Sequence, residues 1–303
     1  MREMRGVIPP VITPFTADGE IAYPSLAANL DKWNRTHLGG YLILGSNSEF
    51  VYLSEEEKIR VLDFAREHIP REKIMIAGTG CEATEATIAL TRRAARIGAD
   101  AVMVVTPAYY KPQMRDRILI EHYRRVADAS PVPVFLYNVP QFTGVVLSPH
   151  AVAWLAEHDN VIGMKDSAGN LGVFAEYLRQ TPPEFVLFVG SAPVFLPALV
   201  LGARGGILAL ANCAPEACLT LYSLFHQGKL HEAREQQLKL LPASEGVTSR
   251  FGIGGLKAAM DMVGYEGGFP RAPLVPPTDE ERREIRHALE RSGLLPSGPR
   301  AES

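Results

Sequence analysis

Cysteine is scarce. Three residues in 303 (Cys81, Cys213 and Cys218), odd in number and without a C-x-x-C spacing, argue against a disulfide framework and make a reducing, cytoplasmic setting the expectation. An excess of one charge is also missing. The 31 basic and 34 acidic residues leave a net charge of -3, so there is no electrostatic footprint for nucleic acid or an anionic membrane. The opening "MREMRGVIPP" is charged and then broken by prolines, and it has no apolar core of a secretion signal. The run most like a membrane span, Pro193 to Ala214, is interrupted by Pro197, Arg204 and a Gly-Ala-Arg-Gly-Gly break. Each half falls short of the ~20 apolar residues a bilayer requires, so the run reads as a buried helix followed by a buried strand. There is no H-E-x-x-H and no clustered Asp or Glu at the predicted strand ends, which leaves a metal-dependent mechanism without support.

What is present is apolar and periodic. With 47% hydrophobic residues the chain can bury a sizeable core. Short runs rich in β-branched residues recur at 6–15, 40–46, 73–80, 101–107, 133–140, 161–168, 185–192 and 205–212, and they predict eight strands. Their spacing is about 30 residues, the length of one βα unit. Helical segments lie between them. Ser54 and Glu57 stand in capping-box register, Gly98 closes a helix begun at Thr84, and Ser148-Pro149 opens another. Alternating β and α predicts a parallel sheet, and eight units close into a TIM (β/α)8 barrel. The barrel is expected over 1–224. After Asn212 the pattern is helical only, four helices with a Pro-rich stretch before the last, and residues 225–303 form a C-terminal extension.

In such a barrel the C-terminal strand ends face the active site. They read Thr13-Pro14, "GSNSE" (45–49), "GTGCE" (78–82), "TPAYY" (106–110), "YNVP" (137–140), "KDS" (165–167), "GS" (190–191) and "AN" (211–212). Strand alternation puts Val161, Gly163, Lys165 and Ser167 on one face and Ile162, Met164 and Asp166 on the other. With Lys165 inward, Gly163 is expected to leave room for its stem. A lysine desolvated there is driven toward the neutral amine, a nucleophile that forms a Schiff base with a carbonyl carbon. An ion pair with a neighbouring carboxylate accounts for a barrel lysine equally well. Tyr137 and Tyr109, on the two preceding strand ends, are phenols suited to the proton transfers of imine chemistry, and either also reads as amphipathic packing. Ser46 and Asn47, in a glycine-containing turn, could hold a carboxylate or simply lead into a helix.

The ordered set "GSNSE", "TPAYYKP", "YNVP", "KDSAG" and "GS" resembles the dihydrodipicolinate synthase/N-acetylneuraminate lyase family over nearly the whole chain. The resemblance implies a class I pyruvate aldolase with no cofactor beyond the covalent lysine imine. Lys165 would form the imine and Tyr137 would shuttle protons, with Ser46 and Tyr109 extending the relay. Ser46 and Asn47 would bind the pyruvate-derived carboxylate. Ser167, Phe142, Gly190, Ser191 and Ile207 would complete the substrate-binding set, and the partners expected are a small 2-oxo acid and other copies of the chain in a tetramer built as a pair of dimers. The sequence departs from the pattern at two places. Ser48 stands at a family glycine. Phe142 stands where synthases that condense pyruvate with aspartate semialdehyde carry an arginine, and a phenyl ring cannot make a bidentate contact to a carboxylate. Other stretches, among them "VTSRFGIGGLK" and "GGFPRAPL", look most like 4-hydroxy-2-oxoglutarate aldolase, so cleavage to pyruvate and glyoxylate is the expected reaction. Dihydrodipicolinate synthesis, cleavage of 2-keto-3-deoxy sugar acids and a non-catalytic 2-oxo-acid-binding barrel are the alternatives.

One motif points elsewhere. "GTGCEA" at 78–83 matches G-x-G-x-x-A of a dinucleotide fold, but Asp100, at the right distance for the ribose, precedes its strand when it should close it.

Overall fold

The computed structural model describes residues 4–296. Eight strands form one parallel sheet: β1 (Gly6–Ile8), β2 (Gly40–Ile43), β3 (Ile74–Gly78), β4 (Ala101–Val105), β5 (Val134–Asn138), β6 (Val161–Asp166), β7 (Val186–Val189) and β8 (Gly205–Ile207). Each lies inside a predicted run. The neighbours run β1-β8-β7-β6-β5-β4-β3-β2, with helices between successive strands, which makes a TIM barrel. β1 and β2 close it without a regular ladder, because Pro9 and Pro10 have no N–H to offer. Closure rests on Gly39 N–H to Val7 O (3.1 Å), Leu42 N–H to Pro9 O (3.1 Å) and Val11 N–H to Leu42 O (2.9 Å).

Two apolar layers follow from strand alternation. Ile8, Leu42, Ile76, Met103, Phe135, Phe188 and Ile207 fill the barrel, while Val7, Ile43, Val104, Leu136, Met164 and Leu187 pack outward under the helices. The expected alternation fails at the start of β6. Val161 pairs with Val134 but Gly163 pairs with Phe135, so Ile162 is an extra residue in a β-bulge. Val161 therefore joins the outer layer and Ile162 packs against the inner one. From Gly163 onward the predicted order resumes, and the bulge sets the inward aim of Lys165.

The local signals act as expected. The capping box at Ser54 and Glu57 has both reciprocal bonds, and caps of this kind contribute about 1 kcal/mol. Gly98 ends its helix at φ 104°, and Ser148 accepts the Ala151 N–H at 3.0 Å. The apolar run from Pro193 divides into the helix Phe195–Leu201 and β8, and among the described residues no helix is long and apolar enough to cross a membrane. After β8 come the helices Pro215–His226, Leu230–Ser244, Gly252–Met262 and Asp279–Arg291. The segment behind Gly252–Met262 returns to the barrel mouth, where Phe269 N–H donates to Phe15 O at 2.9 Å.

Candidate active site

Lys165 stands near the C-terminal end of β6 with its side chain inside the barrel, only 4% exposed. Its Nζ is 3.3 Å from Tyr137 Oη on β5, beside it in register, and 4.3 Å from the centre of that ring. Among the described residues no carboxylate lies within ion-pairing distance of it. The carboxylate next in sequence is directed away: Asp166 accepts from Asn138 Nδ2 at 2.7 Å on the outer face, where Asn138 also accepts the Leu147 N–H at 3.1 Å. The ion-pair explanation of Lys165 therefore fails.

Room for the lysine stem comes from a different glycine than expected. At Gly163 the free space is filled by Phe135, whose ring carbon would sit 2.7 Å from any added Cβ. At Gly190, behind β7, an added Cβ would overlap Ser167 Oγ and lie 2.8 Å from Lys165 Cε. Gly190 is thus what lets Lys165 and Ser167 share the mouth.

Tyr137 is the hub. Ser46 Oγ, in the turn behind β2, is 3.4 Å from Tyr137 Oη, and the Ser167 hydroxyl lies beside the Lys165 stem over Gly190. Burial pushes the phenol pKa up, but the neighbouring Lys165 ammonium and the surrounding hydroxyls outweigh it and bring it below the ordinary phenol value. An amine, a phenol able to give and take a proton, and two hydroxyls therefore meet in one desolvated cluster.

Ser46, Asn47 and Ser48 form a single 3-10 turn. Asn47 Nδ2 is shielded from solvent without a hydrogen-bond partner among the described residues. An unpaired buried donor is costly unless a ligand satisfies it, and a carboxylate oxygen fits that need. The serine at the family's glycine position causes no strain, since the positive-φ residues here are Leu44 and Glu49, not Ser48. Its hydroxyl instead donates to Val11 O at 2.5 Å and ties the turn to the segment behind β1.

Other predicted residues lie apart. Tyr109 is 78% exposed: the Glu82 carboxylate accepts the N–H groups of Ala108 and Tyr109, holding the loop behind β4 outward, and the ring packs edge-on against Tyr110 at 5.0 Å. Phe142 is 66% exposed on the short helix Pro140–Thr143, whose Gln141 amide donates to Ser167 O at 3.2 Å. Ile207 is buried in the inner layer, and Ser191 Oγ lies near Gly169, at the mouth. The dinucleotide reading fails, because Asp100 sits at the opposite end of the barrel and accepts the Met75 N–H at 2.9 Å.

Sequence reasoning missed one charged group beside this site. Glu49 closes the Ser46–Ser48 turn with its carboxylate buried, and Lys257 of the helix Gly252–Met262 meets it at 2.5 Å. A lysine in the otherwise apolar "GIGGLKAAM" was the available signal.

A parallel barrel with a buried amine, a phenol and a serine at its strand ends has the architecture of a class I carbon–carbon lyase. The profile of the dihydrodipicolinate synthetase family matches residues 3–292. A 4-hydroxy-tetrahydrodipicolinate synthase of Archaeoglobus fulgidus is 35% identical over 290 residues, covering 96% of this chain and 99% of that one. The solved dihydrodipicolinate synthase of Bacillus anthracis superimposes with a TM-score of 0.92 at 27% identity, over 99% of this chain and 100% of that one. An E. coli K12 prophage protein of the same family, solved with pyruvate, gives 0.91 at 30% identity over 97% and 100%. The chain belongs to the dihydrodipicolinate synthetase family.

Proposed function

We propose that the enzyme binds pyruvate as an imine on Lys165 and makes or breaks the carbon–carbon bond at the pyruvate methyl carbon. The observation that carries this reading is the contact of Lys165 Nζ with Tyr137 Oη, 3.3 Å, inside a barrel mouth where no carboxylate of the described residues pairs with the amine. Lys165 first passes its ammonium proton along Tyr137 and Ser46 to solvent; the neutral amine then attacks the C2 carbonyl, and the carbinolamine loses water to give the imine. Tyr137, linked to Ser46, carries protons to and from the carbinolamine oxygen. Loss of a methyl proton gives an enamine that attacks an aldehyde, and the reverse sequence cleaves a 4-hydroxy-2-oxo acid. Ser46 and Asn47 hold the pyruvate carboxylate, the buried Asn47 amide gaining its missing acceptor.

For the aldehyde, the name carried by the relative from Archaeoglobus fulgidus supports condensation of pyruvate with aspartate semialdehyde, and we take this as the leading reading. Phe142 favours a second one, cleavage of 4-hydroxy-2-oxoglutarate, because a phenyl ring offers no charge to a semialdehyde carboxylate. The enzyme is read as a homo-oligomer, with the exposed Tyr109–Tyr110 pair suited to an aromatic contact; light scattering that gives a monomer mass at micromolar concentration would refute it.

Incubation with pyruvate and borohydride, followed by peptide mapping, tests the imine. A panel then tests the second substrate: aspartate semialdehyde for condensation, and 4-hydroxy-2-oxoglutarate, 2-keto-3-deoxy sugar acids and N-acetylneuraminate for pyruvate release. Turnover of semialdehyde at least about a hundredfold above the rest, ~2.7 kcal/mol of discrimination, establishes the synthase. Faster pyruvate release from 4-hydroxy-2-oxoglutarate replaces it, and an adduct without turnover of any oxo acid makes the barrel a binder.

A further inference from the structure

Two non-glycine residues among the described ones have positive φ, and they bracket the turn that carries Ser46 and Asn47. Leu44 lies at φ 61° and Glu49 at φ 56°. Left-handed backbone at a side-chain-bearing residue is unfavourable and persists only where surrounding contacts over-determine it. At Glu49 both carboxylate oxygens supply such contacts. Oε1 meets Lys257 Nζ at 2.5 Å, and Oε2 accepts the Arg271 N–H at 2.7 Å. Both side chains of the ion pair are 1% exposed. Lys257 also donates to Thr13 O at 2.8 Å and Phe269 O at 2.7 Å, so one ammonium joins the loops behind β1 and β2 to the returning C-terminal segment. Arg271 is itself anchored: it forks onto Glu57 at 2.8 and 2.7 Å, donates to Gly19 O and Tyr52 O, and lies over the Phe15 ring.

A buried ion pair is a poor device for stability alone, since well-packed apolar side chains of similar volume do as well. What it supplies is a fixed geometry, and here the geometry belongs to the residue that ends the carboxylate-binding turn. We propose that Lys257 and Glu49 are positioning residues for pyruvate binding: the C-terminal extension, through this pair, holds the Gly45–Glu49 backbone so that Ser46 and Asn47 meet the substrate carboxylate. The inference rests on the pyruvate reading above. It assigns the extension a part in the chemistry of a site otherwise built wholly from the barrel.

The test compares two carbonyl ligands, pyruvate and its methyl ester, by borohydride trapping on the full-length protein over a concentration series. The variant is Glu49→Gln/Lys257→Met, which removes both buried charges together and so avoids stranding either one. The expected result is a rise of at least about tenfold in the pyruvate concentration for half-maximal trapping, the loss of roughly one hydrogen bond to a charged group, with the ester curve unmoved. If the double variant does not fold, Glu49→Asp, which keeps the charge and withdraws it by one methylene, is read in the same way. Unchanged pyruvate saturation, or an equal loss for pyruvate and ester, overturns the proposal, because a merely structural role would affect both ligands alike. Absence of an adduct in the wild-type protein overturns the pyruvate reading and this inference with it, whereas a normal wild-type adduct with unaltered variants overturns the inference alone.

Discussion

Two lysines are buried at the same end of the barrel and have opposite surroundings. Lys257 has a carboxylate at 2.5 Å and two carbonyl acceptors. Lys165 has one phenol at 3.3 Å, the face of its ring, and no carboxylate among the described residues. Burial pushes the Lys257 amine down to about 8, and the Glu49 carboxylate opposes that shift. An ammonium held between a carboxylate and two carbonyls is committed to the architecture. One that meets only a phenol can give up its proton and, as the neutral amine, bond to a carbonyl carbon. The difference lies in what the neighbouring strands bring, since depth is nearly the same for both.

The same substitution at both positions breaks the comparison most sharply. Lys165→Met is expected to lower turnover by at least about ten-thousandfold, because it removes the amine that forms the imine. Its unfolding free energy should stay within about 1 kcal/mol of wild type, as no partner is left uncompensated; steady-state kinetics and urea titration read the two effects. Tyr137→Phe should reduce kcat by roughly 10²–10³-fold, the usual contribution of a positioned acid–base group, while borohydride still traps pyruvate on Lys165. Lys257→Met should act on stability and on pyruvate saturation, with kcat little changed. It strands the Glu49 carboxylate in a dry site and costs about 3–5 kcal/mol in urea unfolding; a loss below about 1 kcal/mol would contradict the pairing.

Asp166→Asn gives the smallest effect. Burial holds this carboxyl above its ordinary range, against the hydrogen bonds from Asn138 and Ala168. With the folded value raised, the native state retains the proton longer than the unfolded chain does. The contribution of Asp166 is therefore complete in acid and is lost as pH rises through the raised value. The asparagine variant should flatten the stability profile just above the ordinary carboxylate range, and kcat should stay within about twofold because the residue faces away from the site.

Much of this was legible in the sequence. Eight apolar runs and their turn residues are enough to give the barrel; the strand-end rule narrows the candidates to eight loops, and the family resemblance is what picks Lys165, Tyr137 and Ser46 from them. Local signals such as the Ser54–Glu57 box carry through because neighbours in sequence decide them. What the sequence did not show is all non-local. Gly163 looked like the source of space since it lies two residues from Lys165, but a bulge and the Phe135 ring fill that place, and the space comes from Gly190 on the next strand. Tyr109 falls outside the hydrogen-bonded cluster because a carboxylate on another loop, Glu82, holds its backbone outward. Glu49 and Lys257 meet only after the chain has closed the barrel and come back across it. No periodicity encodes such a meeting, although a charged residue in an apolar helix marks where to look.

The most direct measurement is the position of the label after pyruvate and borohydride treatment of the wild-type enzyme, read by peptide mapping. The account predicts one adduct, on Lys165, with Lys257 unmodified in the same sample. An adduct on Lys257, or none on Lys165 at saturating pyruvate, would contradict it.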